Sequence, residues 1–139
     1  MKQFVIGVFV CALVSACGSS PTAPENFAQI GGNWTGTFDS SNWNPIAVKV
    51  NLTQSSGSVT GTWAGPTDWN GTVDGNVDKD NFTGTFTFSG PRSGGGRCSA
   101  TGSFSGPART GASTLKWTSP GFSGDCTGLP LSVALNIQR

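Results

Sequence analysis

The chain has 139 residues, with 21 Gly, 8 Pro, 5 Trp and 9 Phe, neither Tyr nor His, and only 11% charged residues for a formal net charge of +1. That length and apolar content allow one modest core and leave no room for a second domain. The missing histidines exclude Ser-His and Cys-His nucleophile pairs, the usual zinc ligand sets and the commonest general base at neutral pH.

Residues 1–16 read as a targeting segment, with Lys2 as the positive end, an apolar run from Phe4 to Val14, and the small residues Ser15 and Ala16. The apolar run is too short to span a bilayer. Cys17 directly follows Val14, Ser15 and Ala16, and this V-S-A-C resembles the lipobox of bacterial lipoproteins. The resemblance implies that Cys17 becomes the acylated first residue of a mature, membrane-anchored chain. Gly18 stands where Asp often marks inner-membrane retention, which implies the outer membrane of the cell envelope. The alternative is an ordinary secretory signal with an incidental cysteine. Several acyl chains on one residue give a lasting anchor, since each buried methylene contributes roughly 0.8 kcal/mol. Cys17 and the following Ser-, Pro- and Ala-rich residues to position 30 read as a lipidated flexible tether.

Cysteine arithmetic fits this address. Cys11 leaves with the signal and Cys17 takes the lipid, so Cys98 and Cys126 remain as an even pair in an oxidising compartment, and a disulfide is the simple inference. Removal of Lys2 leaves seven basic residues against seven acids. Such a balance without a basic run argues against nucleic acid as a partner.

From residue 31 to 139 the chain alternates apolar and small polar residues, the period of half-buried strands, with turn clusters between the runs. Strands are expected at 33–40, 46–54, 58–65, 70–77, 81–89, 97–105, 113–119 and 131–138. The patterns W-T-G-T-F at 34–38, V-T-G-T-W at 59–63 and F-T-G-T-F at 82–86 repeat, with a weaker A-T-G-S-F at 100–104. Alternation places the central Gly of each on the apolar face, where it permits sharp coiling and close approach of neighbouring rings.

Short connections suit consecutive hairpins, so the expected fold is all-β, an eight-stranded antiparallel up-and-down barrel; a two-sheet β-sandwich is the runner-up. In such a meander the loops after strands one, three, five and seven share a first end, and the others share a second end. The first end carries Trp43, Trp69, Arg92, Phe122, Cys98 and Cys126. The tether arrives at the second end, which would turn the tryptophan-bearing rim away from a membrane.

Gly32, Asn33 and Trp34 at the start of the first strand resemble the G-x-W of lipocalins. The resemblance implies that Trp34 closes one barrel end beneath a basic residue of the last strand, here Arg139. Avidin-like barrels, which with lipocalins make up the calycins, share the meander and a tryptophan-lined cavity. The lipocalin T-D-Y loop and C-terminal helix are absent, as are the polar ring-binding residues of avidins.

Inward positions near the first end are expected to be Phe38, Ile46, Trp63, Phe86, Phe88, Trp117 and Leu131, ringed by Trp43, Trp69, Phe122 and Arg92. An apolar cup with a polar lip suits a small hydrophobic or aromatic ligand. Two other readings stand beside this one. In the first, the barrel is solid and Trp43, Trp69 and Phe122 dock an envelope protein or glycan. In the second, Asp68 or Asp125, with Asp39 nearby, serve a hydrolase. No catalytic residue, cofactor or metal is expected. Asp74, Asn76, Asp78 and Asp80 have the spacing of a calcium loop, but Lys79 replaces the required Gly and no terminal Glu follows, so they read as a strand-ending turn.

Overall fold

A computed structural model describes residues 27–40, 43–130 and 132–139, with the side chain of Trp43 excepted. The signal segment, Cys11, Cys17 and Leu131 lie outside these residues. Nine strands follow one another: β1 (Gly32–Ser40), β2 (Trp43–Ser55), β3 (Ser58–Ala64), β4 (Asn70–Asp78), β5 (Asn81–Pro91), β6 (Arg97–Pro107), β7 (Thr114–Ser119), β8 (Phe122–Gly124) and β9 (Val133–Gln138). Every pairing is antiparallel.

The hydrogen-bonded order is β5-β4-β3-β2-β1-β9-β7-β6, and the additional β5–β6 pairing closes the circle. That pairing runs unbroken from Asn81↔Pro107 to Pro91↔Arg97. The protein is thus a closed eight-stranded up-and-down barrel consistent with a calycin-like fold, and the sandwich alternative is excluded. Closure leaves these eight staves without a free edge. The extra strand, β8, falls where a loop was expected and pairs with Ala100–Gly102 of β6 beside the end of β7. β2 also begins earlier than expected, at Trp43, and β6 runs on to Pro107.

Alternation explains the core. Trp34 and Phe38 of β1, Val48, Val50 and Leu52 of β2, Val59 and Trp63 of β3, and Phe82, Phe86 and Phe88 of β5 all fill the bore. The intervening Thr, Asn and Lys residues face outward, as period-two geometry requires. Rings pack edge to face or tilted, for example Phe38 with Trp63 at 5.2 Å and Phe86 with Phe104 at 4.7 Å between centroids. Such contacts add to the area term of burial.

The second end is sealed by a segment that the sequence assigned to the tether. Ala28 is buried and Ile30 is fully buried. The Ala28 N–H donates to the Lys79 carbonyl at 2.8 Å, and Gln54 accepts from the Ile30 N–H at 2.8 Å while donating to the Ala28 carbonyl at 2.9 Å. Phe27 packs against the inner side of the turn at Gly57. The folded unit therefore begins by residue 27 rather than 31. Trp34 Nε1 donates to the Ile30 carbonyl at 2.9 Å, and the Arg139 guanidinium carbon lies 4.4 Å above the Trp34 ring. A second Arg139 bond, to the Gly31 carbonyl at 2.8 Å, fixes it there.

Candidate functional site

At the first end the strands deliver Phe38, Ile46, Trp63, Phe88 and Val133 to one apolar cavity of about 170 Å³, which Trp69 and Leu129 complete from the loops and Phe122 from β8. Each strand residue arrives there because it is an inward position near the first-end terminus of its stave. Phe38 lies two residues before the end of β1, Ile46 three residues into β2, and Val133 opens β9.

Trp69 and Phe122 fold over this cavity rather than into solvent. Trp69 is half-buried and lies against Gly90, where an added Cβ would meet its ring at 2.3 Å. Phe122 is half-buried against Gly102 in the same manner, and its ring meets Phe88 edge to face at 4.9 Å. The Gly residues of β5 and β6 thus seat two rings that would otherwise be held off the wall.

Trp63 is the pivot of the mouth. The β4–β5 ladder pairs Asn70 with Ser89 and resumes at Val73 with Phe86. In the interval Trp63 Nε1 donates to the Thr87 carbonyl at 2.8 Å, and the Thr72 N–H turns to the Thr87 hydroxyl at 2.8 Å. The indole replaces a ladder donor, so its orientation is held by the barrel wall itself. Gly71 leaves the necessary space: an added Cβ would lie 1.7 Å from the Thr87 oxygen and 2.5 Å from Trp63 Nε1.

A flap formed by β8 and the residues after it covers one side of the cavity. It is fastened by the Cys98–Cys126 disulfide, whose Cα atoms are 4.9 Å apart. Asp125 adds three further ties. Its carboxylate accepts from the Ser99 N–H at 2.6 Å, its own N–H donates to the Ser99 carbonyl at 2.9 Å, and Arg92 forms an ion pair with it. The Ser99 N–H, followed by the Arg92 charge, holds the Asp125 carboxyl below the ordinary aspartate pKa, against an opposing desolvation contribution. Arg92 is consequently engaged with the flap rather than with the bore.

Two residues assigned to the mouth lie elsewhere. Trp117 is fully buried, stacks on Phe82 at 4.0 Å near the second end, and donates through Nε1 to the Pro107 carbonyl at 3.1 Å. Its β7 backbone position gave the right face, but the indole extends toward the opposite end. Phe86 is also fully buried and, with Phe104, packs behind Phe38 in the layer below the cavity rather than lining it. Trp43 opens β2, paired with Ser40, and Leu131 lies outside the described residues.

Val133 and Leu129 were not singled out by the sequence reading. Val133 shares the alternation of Leu135 and Ile137 and was legible by that signal; Leu129, in an irregular segment, carried none. The carboxylates considered for hydrolysis have separate environments: Asp39 pairs with Asn136, Asp125 with Ser99 and Arg92, while the Asp68 backbone carbonyl accepts from Arg97 at 2.9 Å. Among the described residues, no cluster of three or more His, Cys, Asp or Glu is placed to hold a metal ion.

No protein family, curated protein or solved structure matches this chain.

Proposed function

We propose that this protein is a non-enzymatic lipoprotein of the bacterial cell envelope, anchored through acylated Cys17 in the outer membrane, that binds a small apolar or aromatic ligand in the barrel mouth. The observation that carries the binding reading is the cavity bounded by Phe38, Trp63, Trp69, Phe88 and Phe122 at the end remote from the N-terminal segment. Apolar walls with few polar groups are the usual character of small-molecule sites. The anchor reading rests on V-S-A-C at 14–17 and the segment before it. Because residue 27 enters at the second end, lipid on Cys17 would present the mouth away from the membrane.

The docking alternative draws less support. Trp69 and Phe122 are turned onto their own barrel, and Arg92 is paired with Asp125, which leaves few projecting anchors for a protein or glycan among the described side chains at this end.

The test is mass spectrometry of small molecules extracted from the purified protein, together with tryptophan emission during ligand titration. A stoichiometric apolar compound, whose re-addition shifts emission in the parent but not in Trp63→Phe, supports the reading. A capture of envelope glycan or protein that survives in Trp63→Phe, with no apolar compound found, would replace it. Metabolic labelling with a fatty acid is expected to mark the parent and not Cys17→Ser.

A further inference from the structure

We infer that the mouth accepts a neutral, single-ring aromatic molecule and excludes both fused-ring compounds and lipid chains. The inference rests on the proposed binding role of the mouth and narrows it to a ligand class. Three observations converge on that class.

The first is size. At about 170 Å³ the cavity falls below the roughly 300–1,000 Å³ of sites for drug-sized ligands. It is close to an engineered apolar cavity of about 150 Å³ known to stay dry and take up benzene. Depth is limited as well, because Phe86 and Phe104, with centroids 4.7 Å apart and almost no exposure, close the bore directly beneath. An acyl tail cannot continue inward along the bore.

The second is polarity. Trp63 Nε1, in the wall of the cavity, is spent on the Thr87 carbonyl. Arg92 is spent on Asp125. Among the described residues, no buried side-chain nitrogen or oxygen lacks a hydrogen-bond partner. A charged ligand group would therefore be stripped of water with no charged partner among the described lining residues, which carries a penalty of several kcal/mol.

The third is the nature of the wall. Phe38, Trp63 and Phe88 face one another at centroid separations of 4.9–5.5 Å, and Phe122 stands edge-on to Phe88. Ring faces and edges are both presented to the cavity, so an aromatic guest gains edge-to-face contacts that an aliphatic one of the same size does not.

The experiment measures thermal unfolding and tryptophan emission of the full chain with benzene, toluene, naphthalene and decanoate as probes. Benzene and toluene are expected to raise the midpoint saturably and to perturb emission, whereas naphthalene and decanoate do neither. Val133→Phe, or Leu129→Trp if the first variant fails to fold, fills the cavity and is expected to abolish the benzene effect. Phe122→Ala enlarges it and is expected to admit naphthalene. Saturable naphthalene or decanoate binding to the parent that Val133→Phe or Leu129→Trp removes would overturn the single-ring limit while sustaining the mouth as a binding site. If no probe acts on the parent or on Phe122→Ala, both the limit and the mouth reading fall.

Discussion

A methyl group added at Gly36 would lie 1.9 Å from the carbonyl oxygen of Asn136, whereas one added at Gly90 would meet the Trp69 ring at 2.3 Å. The distances are similar, but the obstacles are not. Asn136 is ladder backbone in the β1–β9 pairing and cannot withdraw without opening the barrel seam. Trp69 is a half-buried side chain at the rim and can swing away. Overpacking typically costs about 1–3 kcal/mol and occasionally more. Gly36→Ala is therefore expected to lose about 3 kcal/mol in urea unfolding, and Gly90→Ala about 1 kcal/mol with a red-shifted emission as Trp69 moves into water. Equal losses in the two variants, with unchanged emission, would contradict this account. The sequence placed Gly36, Gly61, Gly84 and Gly102 on the apolar face through the T-G-T and T-G-S repeats. At Gly84 the vacated space is claimed partly by Phe82 of the same repeat, but at Gly36, Gly61 and Gly102 the claimant comes from another part of the fold and was not legible: strand backbone of Asn136 and Asn51 at the first two, the Phe122 ring at the third. Trp117 shows the same boundary, because periodicity assigns a face but not the direction in which a long indole extends along the bore.

At the scale of elements, β8 and the flap that follows it are where the sequence said least. Three residues cannot display an alternation, and β8 is set by a long-range fit: Phe122 seats on Gly102, and Phe122–Gly124 take the side of Ala100–Gly102 that β5 leaves open. The cysteine count did expose the fastening, since Cys98 and Cys126 fall at the same end in an eight-strand meander. They close a sequence separation of 28 residues. For such a loop the chain-entropy relation gives about 3.6 kcal/mol. Replacing both cysteines with Ser is expected to lower stability by about that amount, read as a shift in urea midpoint, with faster hydrogen exchange in 120–130 than in β2. Unchanged exchange in the flap would show that its packing alone holds it. Asp125 adds a pH dependence of defined sign. Its folded pKa lies below the ordinary 3.8 because the Ser99 N–H and then Arg92 favour the charged form. The associated stability is present above the unfolded value and is lost as pH falls through the folded one. The flap should thus loosen as pH drops below 3.8. In Asp125→Asn the tie is weakened already at neutral pH, and this acid-dependent part disappears. An acid profile of flap exchange identical in parent and variant would remove Asp125 from that role.

The whole molecule is a barrel with two unlike ends, and that asymmetry makes its stability and its proposed binding separable. The meander was legible because the connections are short and the repeated inward aromatics demand a common bore. The seal at the second end was not, since Phe27–Ile30 is too short to show a period and follows a Pro- and Ser-rich stretch. Ile30 is fully buried, so Ile30→Ala should lose about 2–5 kcal/mol. Gln54→Ala, which strips partners from the Ile30 N–H and the Ala28 carbonyl, should lose about 1–3 kcal/mol. These two changes share the same seal and are expected to be non-additive with each other. Ile30 and Val133 instead lie at opposite ends of the bore, with Phe82, Phe86 and Trp117 packed between. Substitutions at such separated sites usually add within about 0.3–0.5 kcal/mol. The double variant Ile30→Ala with Val133→Phe should accordingly show the sum of the single urea-unfolding changes. Ile30→Ala alone should leave the concentration of benzene that half-saturates the emission change where it is in the parent. A benzene response that weakens with the seal would mean that the aromatic column transmits strain from one end to the other, and the two ends would then have to be treated as one cooperative unit.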